Sequence, residues 1–345
     1  MRVLGLFLLF AGVCAGMSAV AQESPRELFM QSATSKKAAL IITGPTIGSE
    51  NSAKYRQLTL SLHDVLARDY GYSSEQLVLL YAGGTGIDSR VDGDADRAGI
   101  VQALAALEES LQAGDQLAVF LLGHGTGVDD EAKFNIRGPD LNGAEFARLF
   151  DAFTHQDLVF VNTTSASYGF ATALAREVAG EGRIVVSATR SSAEKFDPLF
   201  SRYLIEGLNE RRADRDKNSR VSLLEAFNYA KNNVDAFYEE QGRLAAEHAG
   251  LDDNGDALFA LAPAPGESDG RLAEIAFFDA AIADEASLSP ERLTLKRRMQ
   301  SLEREVLLLR GRKAEFLEDD YWMRLEVLLM DLARTTEDFD ADASQ

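Results

Sequence analysis

The chain has 345 residues, with 55 acidic against 35 basic side chains and a formal net charge of −20. That imbalance argues against nucleic acid and anionic lipid as partners and is compatible with bound cations. The only cysteine, Cys14, lies in an N-terminal segment expected to be removed, so disulfides, a cysteine zinc site and a thiol nucleophile are excluded from the mature chain.

Residues 1–21 read as a secretory signal. Arg2 supplies the positive end, Val3 to Val13 the apolar stretch, and Ala19-Val20-Ala21 a small-x-small cleavage site. An uncleaved anchor is the alternative. No later segment is long and apolar enough to span a bilayer, and export without disulfides fits a bacterial periplasm. After a lead-in over 22–37, apolar runs alternate with helical periods across 38–261. Strands are expected at Ala39–Thr43, Gln76–Tyr81, Gln116–Leu122, Asp157–Val161 and Arg183–Ser187. Amphipathic helices are expected between them at Ala53–Asp69, Arg97–Gln112, Gly143–Ala152 and Gly169–Ala179. Near-continuous Val/Leu/Ile/Phe strands separated by helices predict an α/β domain with a mostly parallel sheet flanked by helices.

Residues 198–249 read as helical around a polar loop at 213–222. The Pro/Gly-rich run from Ala262 opens an expected linker, 262–289. A C-terminal helical appendage follows over 290–335, either coiled coil or hairpin, with Met299, Leu302, Val306 and Leu309 on one face. A single helix folded back on the domain is the alternative, and this segment is the candidate contact for an oligomer. Within it, Trp322 reads as a packing anchor. The acidic tail, 336–345, is expected to lack structure.

His124 is the first chemical candidate. It ends the run Leu121-Leu122-Gly123-His124-Gly125, where glycines permit a sharp turn and close approach of a ligand. An imidazole there suits a general base; a tight-turn histidine is the plain alternative. The motif matches neither a dinucleotide fingerprint nor a phosphate loop. The next strand opens into Asn162-Thr163-Thr164-Ser165-Ala166-Ser167. Two strands that deliver polar side chains from their carboxyl ends are how an open α/β sheet builds a site.

Together these motifs resemble the legumain and caspase group, with its caspase-haemoglobinase fold. In that group one strand ends in His-Gly and the next in Ala-Cys-x-Ser-Gly or a variant. Gln116–Gly125 resembles the first motif and Thr164-Ser165-Ala166-Ser167 the second, with serine in place of cysteine. The resemblance implies His124 as base and Ser165 as nucleophile, or Thr164 in a shifted register, with an oxyanion hole at the Gly125 and Ser165 N–H groups. Tyr55-Arg56 and His63 resemble the family's first helix, which implies Arg56 in the specificity pocket. Ser187-Ala188-Thr189-Arg190-Ser191 resembles the substrate-groove strand, with Arg190 a groove contact. The residue after the nucleophile, acidic in legumains, is Ala166. A serine needs an oriented base more than a cysteine does. The expected function is therefore an exported, catalytically degenerate peptidase homologue that binds a peptide or protein. The alternatives are an active serine endopeptidase and an assembly protein working through its C-terminal helix.

The segment Asp214–Glu225 follows the twelve-residue EF-hand calcium loop. Oxygen ligands fall on Asp214, Asp216, Asn218, the Arg220 carbonyl, Ser222 and Glu225, with Ser219 where glycine is usual. The expected cofactor is a structural calcium ion; an acidic loop without metal is the alternative. Asp92, Asp94 and Asp96 read as a solvated acidic rim, and Asp252-Asp253-Asn254-Gly255-Asp256 as a turn. His63 reads as structural.

Overall fold

Every residue of Lys37–Thr43, Gln116–Leu122 and Asp157–Asn162 is buried, as continuous apolar strands must be when both sheet faces are covered. The computed structural model describes residues 28–29, 35–177, 182–279 and 288–342. The expected leader with Cys14, and most of the lead-in, lie outside the described residues.

In chain order the first half comprises β1 (Lys37–Thr43), α1 (Ser49–Tyr70), β2 (Leu77–Tyr81), β3 (Gly93–Asp94), α2 (Arg97–Ser110), β4 (Gln116–Leu122), β5 (Gly125–Thr126), β6 (Lys133–Phe134), β7 (Leu141–Asn142) and α3 (Gly143–Phe150). It continues with β8 (Asp157–Asn162), α4 (Tyr168–Glu177), β9 (Arg183–Ser187), α5 (Phe200–Leu208), α6 (Leu223–Glu240), β10 (Gly250–Asp252) and α7 (Arg271–Ile275). The C-terminal helices are α8 (Pro290–Gly311) and α9 (Glu318–Asp342).

The main sheet has seven strands in the order β10-β9-β8-β4-β1-β2-β3. All neighbours pair in parallel except β10, which runs antiparallel to β9. The expected α/β class, a mostly parallel sheet flanked by helices, is the one observed. A small antiparallel sheet, β5-β6-β7, follows the His124 turn.

Strand alternation splits the core into two layers. Ile41, Phe120, Val161 and Val186 face α1, α5 and α6, whose Leu66, Leu204 and Phe227 complete one layer. Leu40, Leu121 and Phe160 face α2, α3 and α4, through Ile100, Phe146 and Phe170. Local chemistry sets the helix starts. Asp96 caps α2, while Asn142 with Glu145 and Ser222 with Glu225 form capping boxes on α3 and α6.

Two expectations on organisation need correction. The described part of the expected linker is packed into the body: Ala273, Ile275, Phe277 and Phe278 are buried and Asp253 Oδ2 accepts from Ala273 N at 2.9 Å. Its Pro/Gly content makes turns around short apolar clusters rather than a free tether. The expected tail is helical as far as Asp342, because α9 continues through it against α8, with Arg292 lying over the Phe339 ring at 4.3 Å. That contact joins the start of α8 to the end of α9, so the pair is an antiparallel hairpin. Its α8 arm docks on the body through Leu307 and through Arg304, which donates to the Phe29 carbonyl at 2.9 Å.

Candidate functional site

Because β1, β4 and β8 are parallel neighbours, with Leu121 opposite Asn162, their carboxyl ends open on one edge. His124 leaves β4 there and the 163–167 turn leaves β8. The two turns touch. A Cβ on Gly125 would lie 2.0 Å from the Ser165 carbonyl oxygen, so only glycine fits. Gly123, at φ +125°, supplies the bend before the histidine.

Asp197 and Tyr55 meet the imidazole, and Lys54 and the Gly123 carbonyl hold those two in place. His124 Nδ1 lies 3.2 Å from Asp197 Oδ1, and the Tyr55 ring meets the imidazole edge-on at 5.4 Å. The Tyr55 hydroxyl donates to Asp197 Oδ1 at 2.5 Å and lies 3.1 Å from the Gly123 carbonyl. Lys54 Nζ donates to Asp197 Oδ2 at 3.0 Å. Burial raises the Asp197 pKa, but hydrogen bonds from His124, Tyr55 and Lys54 outweigh it and hold the carboxyl at about 2. Burial, reinforced by Asp197, pushes the Tyr55 hydroxyl far above its ordinary range. A carboxylate on Nδ1 orients an imidazole.

Ser165 takes a different set of partners. Its Oγ donates to the Gly125 carbonyl at 3.0 Å and accepts from Gly125 N at 3.3 Å. The residue is only 6% exposed. The structure thus brings Ser165 beside the histidine turn, yet its hydroxyl closes on the backbone and makes no bond to the imidazole. Thr164, the alternative register, is fully buried, and its Oγ1 donates to Asn162 Oδ1 at 2.7 Å. Asn162 Nδ2 is a buried donor without a partner. Ala166 adopts φ +56°, a left-handed turn that non-glycine residues rarely take. Ser167 bonds to Ser187 and Thr189 at 2.9 and 3.0 Å, tying the turn to the end of β9.

Beside this site a cleft of about 580 Å³ opens at the ends of β1 and β2. Gly44, Thr46, Ser49, Arg56, Gly83 and Arg137 are among the residues that line it. Arg56 donates to the Ile87 carbonyl at 2.7 Å and pairs with Asp88 at 3.7 Å. Arg190 is not in that lining. It lies past β9 and pairs with Glu194 at 3.4 Å, so the two arginines do not meet in one pocket.

The acidic loop leads from the end of α5 into α6. Ligand-capable oxygens of Asp214, Asp216 and Glu225 lie within 4.8 Å of one another. Ser219, in the place of the usual glycine, takes φ +65°. Burial and the nearby Glu225 raise the Asp216 pKa. Asn218 lies in the loop with its Nδ2 donating to Asp216 Oδ2 at 3.1 Å, and Arg220 N donates to Asn218 Oδ1 at 2.8 Å. Ser222 Oγ donates to Glu225 Oε2 at 2.9 Å.

The remaining candidates have structural roles. Asp96 caps α2, Asp92 accepts from Leu79 N at 2.8 Å, and Asp94 pairs with Arg137. Asp252 accepts from Gly255 N and Ala257 N, both at 2.8 Å, as a turn residue does. His63 contacts Asp64 at 3.3 Å. Trp322 is half-exposed, and its neighbour Tyr321 is the buried member of the pair, which corrects the expected anchor.

Asp197, Lys54 and Asn162 did not emerge from the sequence. Asp197 sits in an irregular loop after β9, far along the chain from His124, and no spacing rule links the two. Asn162 is the last residue of a buried strand, and that placement is the one signal it offered.

No family model matches the chain, and no curated protein matches it. Among solved structures, it is similar to a protein of Geobacter sulfurreducens, with TM-score 0.41 and 11% identity over 63% of this chain and 92% of that one. It is also similar to iotapain, a secreted C11 cysteine protease from Bacteroides thetaiotaomicron, with TM-score 0.36 and 10% identity over 63% of this chain and 66% of that one. At these scores neither likeness assigns a family or an activity.

Proposed function

We propose that the chain is an exported, catalytically silent protein on a legumain- or caspase-like scaffold, holding a peptide or protein segment along the carboxyl edge of its sheet. The observation that carries this reading is the closure of the Ser165 hydroxyl on Gly125. A serine attacks only when a base within hydrogen-bond reach takes its proton. Here the hydroxyl proton goes to the Gly125 carbonyl, and no hydrogen bond joins Ser165 to His124. The adjoining cleft is of a size suited to a small ligand or a peptide side chain, and Arg56 with Thr46 and Ser49 offers polar anchors within it.

One observation favours a second reading, an active serine endopeptidase. The His124–Asp197 pair has the form of the base and orienter of a hydrolytic triad, and a rotation of Ser165 away from Gly125 on substrate binding would complete it.

The test is a diverse peptide library incubated with the purified full chain, read by mass spectrometry for cleavage and by affinity capture for binding. The expected result is retention of a peptide subset that Arg56→Ala loses, with no cleavage above Ser165→Ala. Cleavage that Ser165→Ala abolishes would establish the endopeptidase instead. Failure to retain any peptide would overturn the binding reading.

A further inference from the structure

We propose that residues 214–225 bind one calcium ion, in a site separate from the sheet edge. Three observations converge. The first is the convergence of three carboxylates, Asp214, Asp216 and Glu225, at positions 1, 3 and 12 of the loop. Carboxylates within 4.8 Å repel one another, and a hard cation with oxygen ligands at 2.3–2.6 Å is what such spacing accommodates.

The second is an unanswered acceptor. Asp214 is only 8% exposed, its Oδ2 accepts from Ser219 N at 3.0 Å, and its Oδ1 is buried with no partner. A buried carboxylate oxygen left without a donor is costly. Lys217, in the same half of the loop, donates to the Asp214 carbonyl at 2.8 Å rather than to that carboxylate. A cation among the three carboxylates answers the open oxygen directly.

The third is the backbone. Lys217 and Ser219 both hold φ near +65°, so the loop already makes the turn for which glycine is usual. Backbone N–H groups of Arg215 and Ser222 hold Glu225 Oε1 and Oε2, each at 2.9 Å, at the first turn of α6. The carboxylate is therefore fixed with two oxygens available to one ion. Asn218 Oδ1 and the Arg220 carbonyl supply the neutral ligands. Ser222 stands at the ninth position, where a water often carries the contact.

The loop's far end is stitched to the rest of the molecule. Arg220 lies over the Phe277 ring at 3.5 Å and pairs with Glu303 of α8 at 3.5 Å, and Phe278 N donates to the Val221 carbonyl at 3.0 Å. Ion binding therefore stabilises the seam between the α/β body and the C-terminal hairpin.

The experiment is calorimetric titration of calcium chloride into the full chain after chelator treatment, with melting curves on the same samples. One ion per chain is expected, with a dissociation constant between about 10⁻⁵ and 10⁻³ M, a melting point raised by several degrees, and no comparable effect from magnesium. Glu225→Gln should weaken binding at least tenfold. Asp214→Asn should abolish the calcium-dependent shift while melting no lower than the parent without calcium, because it removes a buried unpaired charge. Ser219→Gly should fold and bind as tightly as the parent or more so. No uptake at millimolar calcium, unchanged affinity in Glu225→Gln, or a lower melting point of Asp214→Asn without calcium would each overturn the proposal.

Discussion

The two polar sites of this molecule treat their carboxylates in opposite ways. At the sheet edge, Asp197 is met by Lys54, Tyr55 and His124, so its charge is balanced within the chain. In the 214–225 loop, three carboxylates face one another and the donors that reach them are backbone N–H groups, a hydroxyl and an amide. One Asp214 oxygen there meets none. At the edge the carboxylate is answered by side chains of the protein itself; in the loop, excess negative charge and an open acceptor remain. The difference teaches that catalytic-looking residues at the edge are the settled part of the fold, and the plain acidic loop is the unsettled part.

The comparison can be broken at its tightest point. Gly125→Ala puts a methyl into the Ser165 carbonyl, and the two turns must separate. A loss of about 3 kcal/mol is expected in urea unfolding, within the range for overpacked sites. A loss near zero would mean that the turns are not closed as described.

Removing Asp197 opens the edge site. Asp197→Ala leaves the buried Tyr55 hydroxyl and Lys54 without their carboxylate, and about 2 kcal/mol of stability should go with it. Tyr55→Phe should cost less, since His124 and Lys54 still hold the carboxylate.

Acid sharpens the same contrast. In the folded protein the Asp197 carboxyl is held at about 2, below the ordinary aspartate value of 3.8. A depressed carboxylate contributes stability above the unfolded pKa and loses it as pH falls through the folded one. About 2 kcal/mol should therefore be present at pH 5 and lost between roughly pH 4 and pH 2. Melting curves of Asp197→Asn should lack that component. If parent and variant lose stability in parallel, the three donors do not hold Asp197 as described.

The smallest expected effect lies in the acidic loop. Ser219→Gly relieves a left-handed backbone at φ +65° and should raise stability by about 1 kcal/mol, with or without calcium. A destabilised variant would show that the Ser219 side chain, and not its backbone, matters there.

The strands were legible because burial on both faces favours a near-continuous apolar run, as after Gln116 in Gln116–Leu122. His124 and Ser165 were legible as turn residues at the ends of such strands. The acidic loop was legible because its ligand spacing is local, all within twelve residues. What escaped was non-local. Asp197 reaches His124 from an irregular loop, and no periodicity marks a residue whose partner is set by the path of that loop over the sheet edge. The packed segment around Phe277 and Phe278 escaped because Pro and Gly punctuate it, and composition alone does not distinguish a turn-rich strap from a tether.

By itself, then, the sequence determined the α/β class, the strands of the central sheet, the absence of a thiol after Cys14, and an acidic loop with calcium spacing. These follow from side-chain type and short-range period, which each residue carries wherever the chain goes. Only the tertiary structure decided that Ser165 closes on Gly125, that Asp197 partners His124, and that α8 and α9 form a hairpin against the body. Those contacts join residues far apart in the chain, and their geometry comes from how strands β4 and β8 and the loop after β9 pack together.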